Sequence, residues 1–170
     1  MAKFVMLFPY MRKFIKDFNL ILIIMSKRIN IAEVSPEAYK PMIALEKYIA
    51  STGLDRKLYH LLKMRASQLN GCHYCLNMHS RDAMKDGETA QRLFLLDAWR
   101  EASELYTEKE QAALALTEEM TLIADYHVSD EVYEEAAKQF SEKELAALMM
   151  GIVAINGWNR MAIATHMPLD

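Results

Sequence analysis

From about Ile31 onward, apolar positions return at a spacing of three to four residues, the period that places side chains on one face of an α-helix. Ser35-Pro36-Glu37 opens the first predicted helix. A hydroxyl there can cap free amides, and the proline stands where its missing donor is not needed, so the helix should run to about Ala50. Ser51-Thr52-Gly53 breaks the pattern. Asp55 then caps a second helix whose stripe is Leu58, Leu61, Leu62, Met64, Arg65 and Leu69, and Asn70-Gly71 ends it. A third helix begins at or just before Cys72 and stops near Asp86-Gly87, where glycine supplies a left-handed residue. A short helix through Leu93, Leu95 and Leu96 leads to Trp99. Thr107-Glu108-Lys109-Glu110 forms a capping box for a helix reaching about Ala124. Ser129-Asp130-Glu131 starts another, and Ser141-Glu142-Lys143-Glu144 is a second capping box. The last helix carries Leu145, Leu148, Met149, Ile152, Val153 and Ile155, apolar around so much of its circumference that it should be deeply buried or packed on another subunit.

The opening residues follow a different pattern. Lys3, Arg12, Lys13 and Lys16 precede the apolar run from Phe18 to Met25, which superficially resembles a signal peptide. Asp17 interrupts the apolar stretch, no small-x-small cleavage site follows, and the run is too short to span a bilayer. An amphipathic helix using Phe14, Phe18, Ile21 and Met25 is a further possibility. The expectation is that residues 1–24 are an extraneous N-terminal extension, that Met25 is the start, and that residues 25–170 form a single domain.

Composition sharpens the fold class. Glycines number 5 and prolines 4 in 170 residues, and the remainder is rich in helix formers, so an all-α fold is expected. Acidic residues exceed basic ones, 23 to 20, which gives no positive excess to draw the chain to nucleic acid. The 2 cysteines lie three positions apart. A loop that small does little to restrict an unfolded chain, so the pair suits reactivity in a reducing cytoplasm better than scaffolding.

Cys72-His73-Tyr74-Cys75 can serve redox cycling or metal binding, and its surroundings favour redox. A helix beginning at Cys72 would offer unpaired amides and the positive end of its dipole to the thiols, lowering their pKa. Cys75 and His79, four apart, share a face, so the imidazole could take the thiol proton. Cys72 could then attack a sulfenic acid on Cys75 and close a disulfide. If the second and third helices fold back as a hairpin, His60 comes level with positions 79–82 and could lie beside His79 or Asp82. Asp82, three residues after His79, could orient its ring, and Tyr74 places a phenol between the cysteines. Zinc held by Cys72, Cys75, His79 and His60 is the competing use, but a structural zinc site draws on two ligand pairs and the hairpin offers one. No metal and no cofactor are therefore expected. The acidic residues around Glu118 and Glu134 read as solvated faces.

The stretch Met64-Arg65-Ala66-Ser67-Gln68-Leu69-Asn70-Gly71-Cys72-His73-Tyr74-Cys75-Leu76-Asn77-Met78-His79-Ser80-Arg81-Asp82-Ala83 resembles the AhpD-like alkylhydroperoxidases of the carboxymuconolactone decarboxylase superfamily. Trp99-Arg100-Glu101-Ala102, Ala112 to Glu118 and Ile155-Asn156-Gly157-Trp158-Asn159-Arg160 extend the resemblance, which begins near Ile31. It implies an all-α, AhpD-like helical bundle with the CxxC at the start of a central helix, assembled as a trimer or hexamer. It further implies a cytoplasmic thiol peroxidase in which Cys75 attacks the hydroperoxide, Cys72 resolves it, and His79 belongs to a proton relay. A dithiol donor, a lipoyl protein or a thioredoxin-like one, would reopen the disulfide. The best-characterised members carry a glutamate where this chain has His60 and a histidine where it has Tyr74, so the relay is altered. The alternatives are a non-catalytic redox-sensing or stress-response oligomer and a decarboxylase-type enzyme working without the thiols.

Overall fold

A computed structural model describes residues 28–169, and the expectations placed on residues 1–27 lie outside them. Residues from Ile31 onward gather into one compact unit. Its helices are α1 (Ile31–Val34), α2 (Pro36–Ser51), α3 (Arg56–Asn70), α4 (His73–Lys85), α5 (Ala90–Leu95), α6 (Glu108–Thr121), α7 (Ile123–Tyr126), α8 (Asp130–Gln139) and α9 (Glu142–Thr165). Two short 3₁₀ turns, Leu96–Ala98 and Ser103–Leu105, join α5 to α6, and no strand occurs among the described residues. The all-α expectation holds.

Most helix ends follow the caps read from the sequence. Asp55 accepts the Leu58 amide at 2.8 Å at the start of α3, and the boxes at Thr107–Glu110 and Ser141–Glu144 are both closed in the reciprocal manner. Ser35 makes no side-chain cap, leaving Pro36 to set that helix start. The helix expected to reach Ala124 instead breaks at Leu122, whose ψ of 35° ends α6 before the single turn of α7.

α3 is the central element. Leu58, Leu62 and Ala66 face one core with Leu116, Leu148, Ile152 and Ile155, while Leu61 and Met64 face a second with Leu93, Leu96, Trp99 and Leu114. With both flanks covered, the polar residues between them are buried too: His60, Lys63, Arg65 and Ser67 all lie inside. Gly151 lets α9 approach α3 closely, since a Cβ there would meet the Tyr59 ring at 2.9 Å. α9 is accordingly buried along the side carrying Leu148, Ile152, Ile155, Asn159 and Ala162, whereas Met150, Val153 and Ile163 remain exposed.

Candidate active site

The chain turns from α3 into α4 through Gly71, whose φ of 67° is readily adopted only without a Cβ. That turn sets Cys72 as the N-cap of α4, its sulfur accepting the Cys75 amide at 3.4 Å. Cys75 follows in the first helical turn. Both thiols are free, with exposures of 1% and 2%, in a small apolar cluster with Ala162 that Tyr74 and Met167 help to cover.

The charge state differs from the sequence expectation. Burial, then the hydrogen bond and charge of Cys72, push the Cys75 thiol up to about 12, against smaller opposing contributions from Asn159 and the Cys75 backbone amide. The helix start does not prevail, because removing water from around a sulfur anion outweighs a few amide dipoles. His79 is neutral for a parallel reason. Burial first, then the electrostatic effects of Lys63 and His60, push its imidazole down to about 3.

His79 lies one turn beyond Cys75 on α4, as the spacing requires, but the hydrogen bond at the thiol pair joins the Cys75 amide to the Cys72 sulfur and does not involve the imidazole. Its Nδ1 is buried without a hydrogen-bond partner. His60 does come near His79 from α3, as the hairpin geometry anticipates, but its Nε2 bonds Asp86 Oδ2 at 2.6 Å, and its own Nδ1 is unpartnered. Asp86 also pairs with Arg56 at 2.7 Å, and its carboxyl is held below the usual range, chiefly by the His60 hydrogen bond. Asp82 does not orient His79: its carboxylate pairs with Lys85 at 3.4 Å, one turn along the outer face of α4. Tyr74 and Asp82 instead line a shallow cleft there with Asn77, Met78, Arg81 and Lys85. Among the described residues, no three His, Cys, Asp or Glu side chains are placed to hold one metal ion.

Three residues enter the site that carried no role in the sequence. Lys63 sits with its ammonium 4.2 Å from the centre of the Tyr59 ring, its pKa lowered by burial against nearby carboxylates. Asp86 reads in the sequence only as a helix stop. Asn159, fully buried on α9, donates to Ser67 Oγ at 3.0 Å; the signal for it was a pair of asparagines, Asn156 and Asn159, inside an otherwise apolar helix. Glu118 likewise departs from the solvated-face reading. It accepts from Arg65 Nε at 2.7 Å, from Trp99 Nε1 at 2.9 Å and from Arg100. Burial alone would raise its carboxyl, and these donors together hold it below the ordinary range.

Comparison with known proteins places the chain among relatives. The carboxymuconolactone decarboxylase family profile matches residues 36–119. The uncharacterized protein YdfG of Bacillus subtilis (strain 168) is 42% identical over 140 residues, covering 82% of this chain and 95% of that protein. A crystal structure of a protein of unknown function from Agrobacterium tumefaciens, whose name proposes an AhpD antioxidant defence protein, superposes with a TM-score of 0.81 at 40% identity. That match covers 85% of this chain and 98% of the other. The debrominase Bmp8 shares the fold at 22% identity, with a TM-score of 0.68 over 79% of this chain and 72% of its own. The identity and coverage of the first two relatives, together with the family profile, lead to one conclusion: the chain belongs to the carboxymuconolactone decarboxylase family, in its AhpD-like group.

Proposed function

We propose that the protein is a thiol-dependent peroxidase that reduces hydroperoxides through a Cys72–Cys75 dithiol/disulfide cycle. The observation that carries the reading is the pair of free thiols, three residues apart across a helix start and packed in one buried cluster. In the first step the Cys75 sulfur, having lost its proton, attacks the peroxide: an S–O bond forms, the O–O bond breaks, and the departing alkoxide takes up a proton as alcohol. Cys72 then attacks the sulfenic sulfur. The S–S bond forms, the S–O bond breaks, and hydroxide leaves with the Cys72 proton as water. A dithiol donor, a lipoyl protein or a thioredoxin-like one, returns two electrons and two protons to restore both thiols.

Both thiols are buried and the Cys75 sulfur rests protonated, so the reaction needs peroxide to enter past Tyr74 and Met167. His79 serves as the proton acceptor beside Cys75, and His60, tied to Asp86, carries the proton onward toward the surface. Tyr74 covers the sulfurs, and Asp82 lines the approach along α4. The protein works in the cytoplasm as a homo-oligomer.

Replacing Cys75 with serine should abolish peroxide consumption and disulfide formation together. Undiminished consumption by Cys75→Ser would refute the assignment. The burial of both sulfurs favours one second reading, a redox sensor that is oxidised once and reduced slowly. Steady-state turnover separates the two, because a sensor stops after a single equivalent of peroxide per dithiol.

A further inference from the structure

The end of α9 closes over the thiols, and the way that end is built has no part in the steps above. The helix stops at Thr165 with two hydrogen bonds: the His166 amide donates to the Ile163 carbonyl at 3.2 Å, and the Met167 amide donates to the Ala162 carbonyl at 3.0 Å. That pairing, centred on a left-handed residue, is a Schellman turn, and it folds the side chain two positions past the helix back onto the last turn. Here that side chain is Met167. It packs on the cluster of Ala162, Cys72 and Cys75.

The left-handed residue is His166, with φ 51° and ψ 49°. A Cβ makes that conformation costly, whereas glycine adopts it freely. The turns after α3 and α4 use glycine, at Gly71 and Gly87, so the thiols are covered by the least securely fastened of the three. The cover itself is also adaptable. Methionine is unbranched, and its three rotatable bonds let it swing aside where an aromatic ring cannot. Met167 is only half-buried, above thiols of 1% and 2% exposure. Tyr74, the other partly buried hydrophobic packed on the cluster among the described residues, presents the rigid wall.

We propose that Met167 is a specificity-determining residue of the thiol site, a gate latched by His166 that admits small hydroperoxides to Cys75 and holds back those with a bulky group beside the O–O bond. The identity of the substrate rests on the dithiol reading, and the gate adds which members of that class reach the sulfur. A small peroxide passes when the thioether rotates. A branched or aromatic one needs the segment lifted, which breaks the bond from the Met167 amide to the Ala162 carbonyl and undoes the turn by local opening.

The test is alkylation of the full chain at pH 8 by two reagents of different size, iodoacetamide and iodoacetanilide, with each cysteine read by mass spectrometry. No peroxide is used, so a failure of the peroxidase reading and a failure of the gate are told apart. The ratio of the two rates cancels the intrinsic reactivity of the thiol. In the folded parent it should favour the small reagent more strongly than in the chain unfolded in urea. Met167→Ala removes the cover, so iodoacetanilide should reach Cys75 roughly tenfold faster, the equivalent of part of a buried methionine side chain, and the ratio should fall toward its unfolded value. His166 is exposed, and substitutions there act through the backbone of the latch. His166→Gly should slow the bulky reagent roughly threefold, and His166→Val, whose branched β-carbon is excluded from the left-handed region, should speed it roughly threefold or more. Circular dichroism and urea midpoints establish that each variant is folded, and the two His166 variants decide the question if Met167→Ala is not. An unchanged size ratio in folded Met167→Ala, His166 variants that leave the rate unmoved or move it in the same direction, or rates that merely follow the urea midpoints overturn the proposal.

Discussion

Two polar clusters are buried on α3, and they are finished differently. Around Arg65, Nε reaches Glu118 at 2.7 Å while NH1 reaches Asp97 and, at 3.3 Å, Gln68; Trp99 and Arg100 fill the remaining acceptor sites of Glu118. Around His60 and His79, one imidazole nitrogen of each ring is buried without a partner, and the thiol beside them is held in its neutral form. A buried ion pair that is fully hydrogen-bonded fastens helices together. A buried polar atom left unpaired lowers stability, and its survival next to two thiols points to a chemical use.

The comparison breaks most visibly at Glu118. Glu118→Ala removes the main partner of an arginine that is only 8% exposed, and the loss should be about 3–5 kcal/mol in a urea titration. The alkylation rate of Cys75 should not change, since none of its interactions involve this cluster. A loss below about 1 kcal/mol would place the cluster with ordinary surface pairs and remove the contrast.

The next largest effect is on the pH dependence of stability. Burial holds the His79 imidazole at about 3 in the folded chain against an ordinary 6.5, so between those values the unfolded chain binds the proton that the folded one refuses. Its contribution is present above pH 6.5 and is lost as pH falls toward 3. Burial holds the Cys75 thiol at about 12 in the folded chain against an ordinary 9.0; its contribution is present below pH 9 and is lost as pH rises toward 12. Stability should thus form a plateau between about pH 6.5 and 9, with limbs no steeper than roughly 1.4 kcal/mol per pH unit for each group. Cys75→Ser should flatten the alkaline limb and leave the acid one. His79→Leu should flatten the acid limb and, by removing an unpartnered nitrogen, leave stability at pH 8 unchanged or raised by about 1 kcal/mol while slowing disulfide formation with peroxide. A destabilisation of about 3 kcal/mol in His79→Leu would mean the ring is a structural member after all.

How far the sequence reveals this molecule follows from which interactions are local. The caps at Asp55, Thr107 and Ser141, the glycine turns at positions 71 and 87, and the placing of Cys72 and Cys75 at a helix start depend on neighbours within a few residues, and they were legible. The break at Leu122 was not, because nothing near it signals a stop in glycine or proline. The direction of the Cys75 shift was misjudged for a related reason. The helix start is visible in the sequence, whereas the burial that outweighs it comes from Ala162 and Met167, nearly ninety residues away. Glu118 looked solvated because its three donors arrive from positions 65, 99 and 100. His60 approached His79 as a simple hairpin predicts, yet the carboxylate it found was Asp86, one turn beyond Asp82.

That last difference gives the smallest effect and the sharpest test of where the site ends. Asp82 and Asp86 lie on the same helix, four residues apart, with similar chemistry and different company. Asp82 is 44% exposed at its side chain and pairs with the exposed Lys85, so Asp82→Ala should leave stability within about 0.5 kcal/mol and Cys75 alkylation unaltered. Asp86→Asn removes the charge that His60 Nε2 meets at 2.6 Å, and if His60 carries protons away from His79, peroxide-driven disulfide formation should slow. The two reactions are read on aliquots of one sample, one treated with peroxide and then alkylated, the other treated with iodoacetamide alone. Should Asp82→Ala slow disulfide formation and Asp86→Asn leave it untouched, the relay runs along the outer cleft past Tyr74, and the buried pair of imidazoles is a matter of packing.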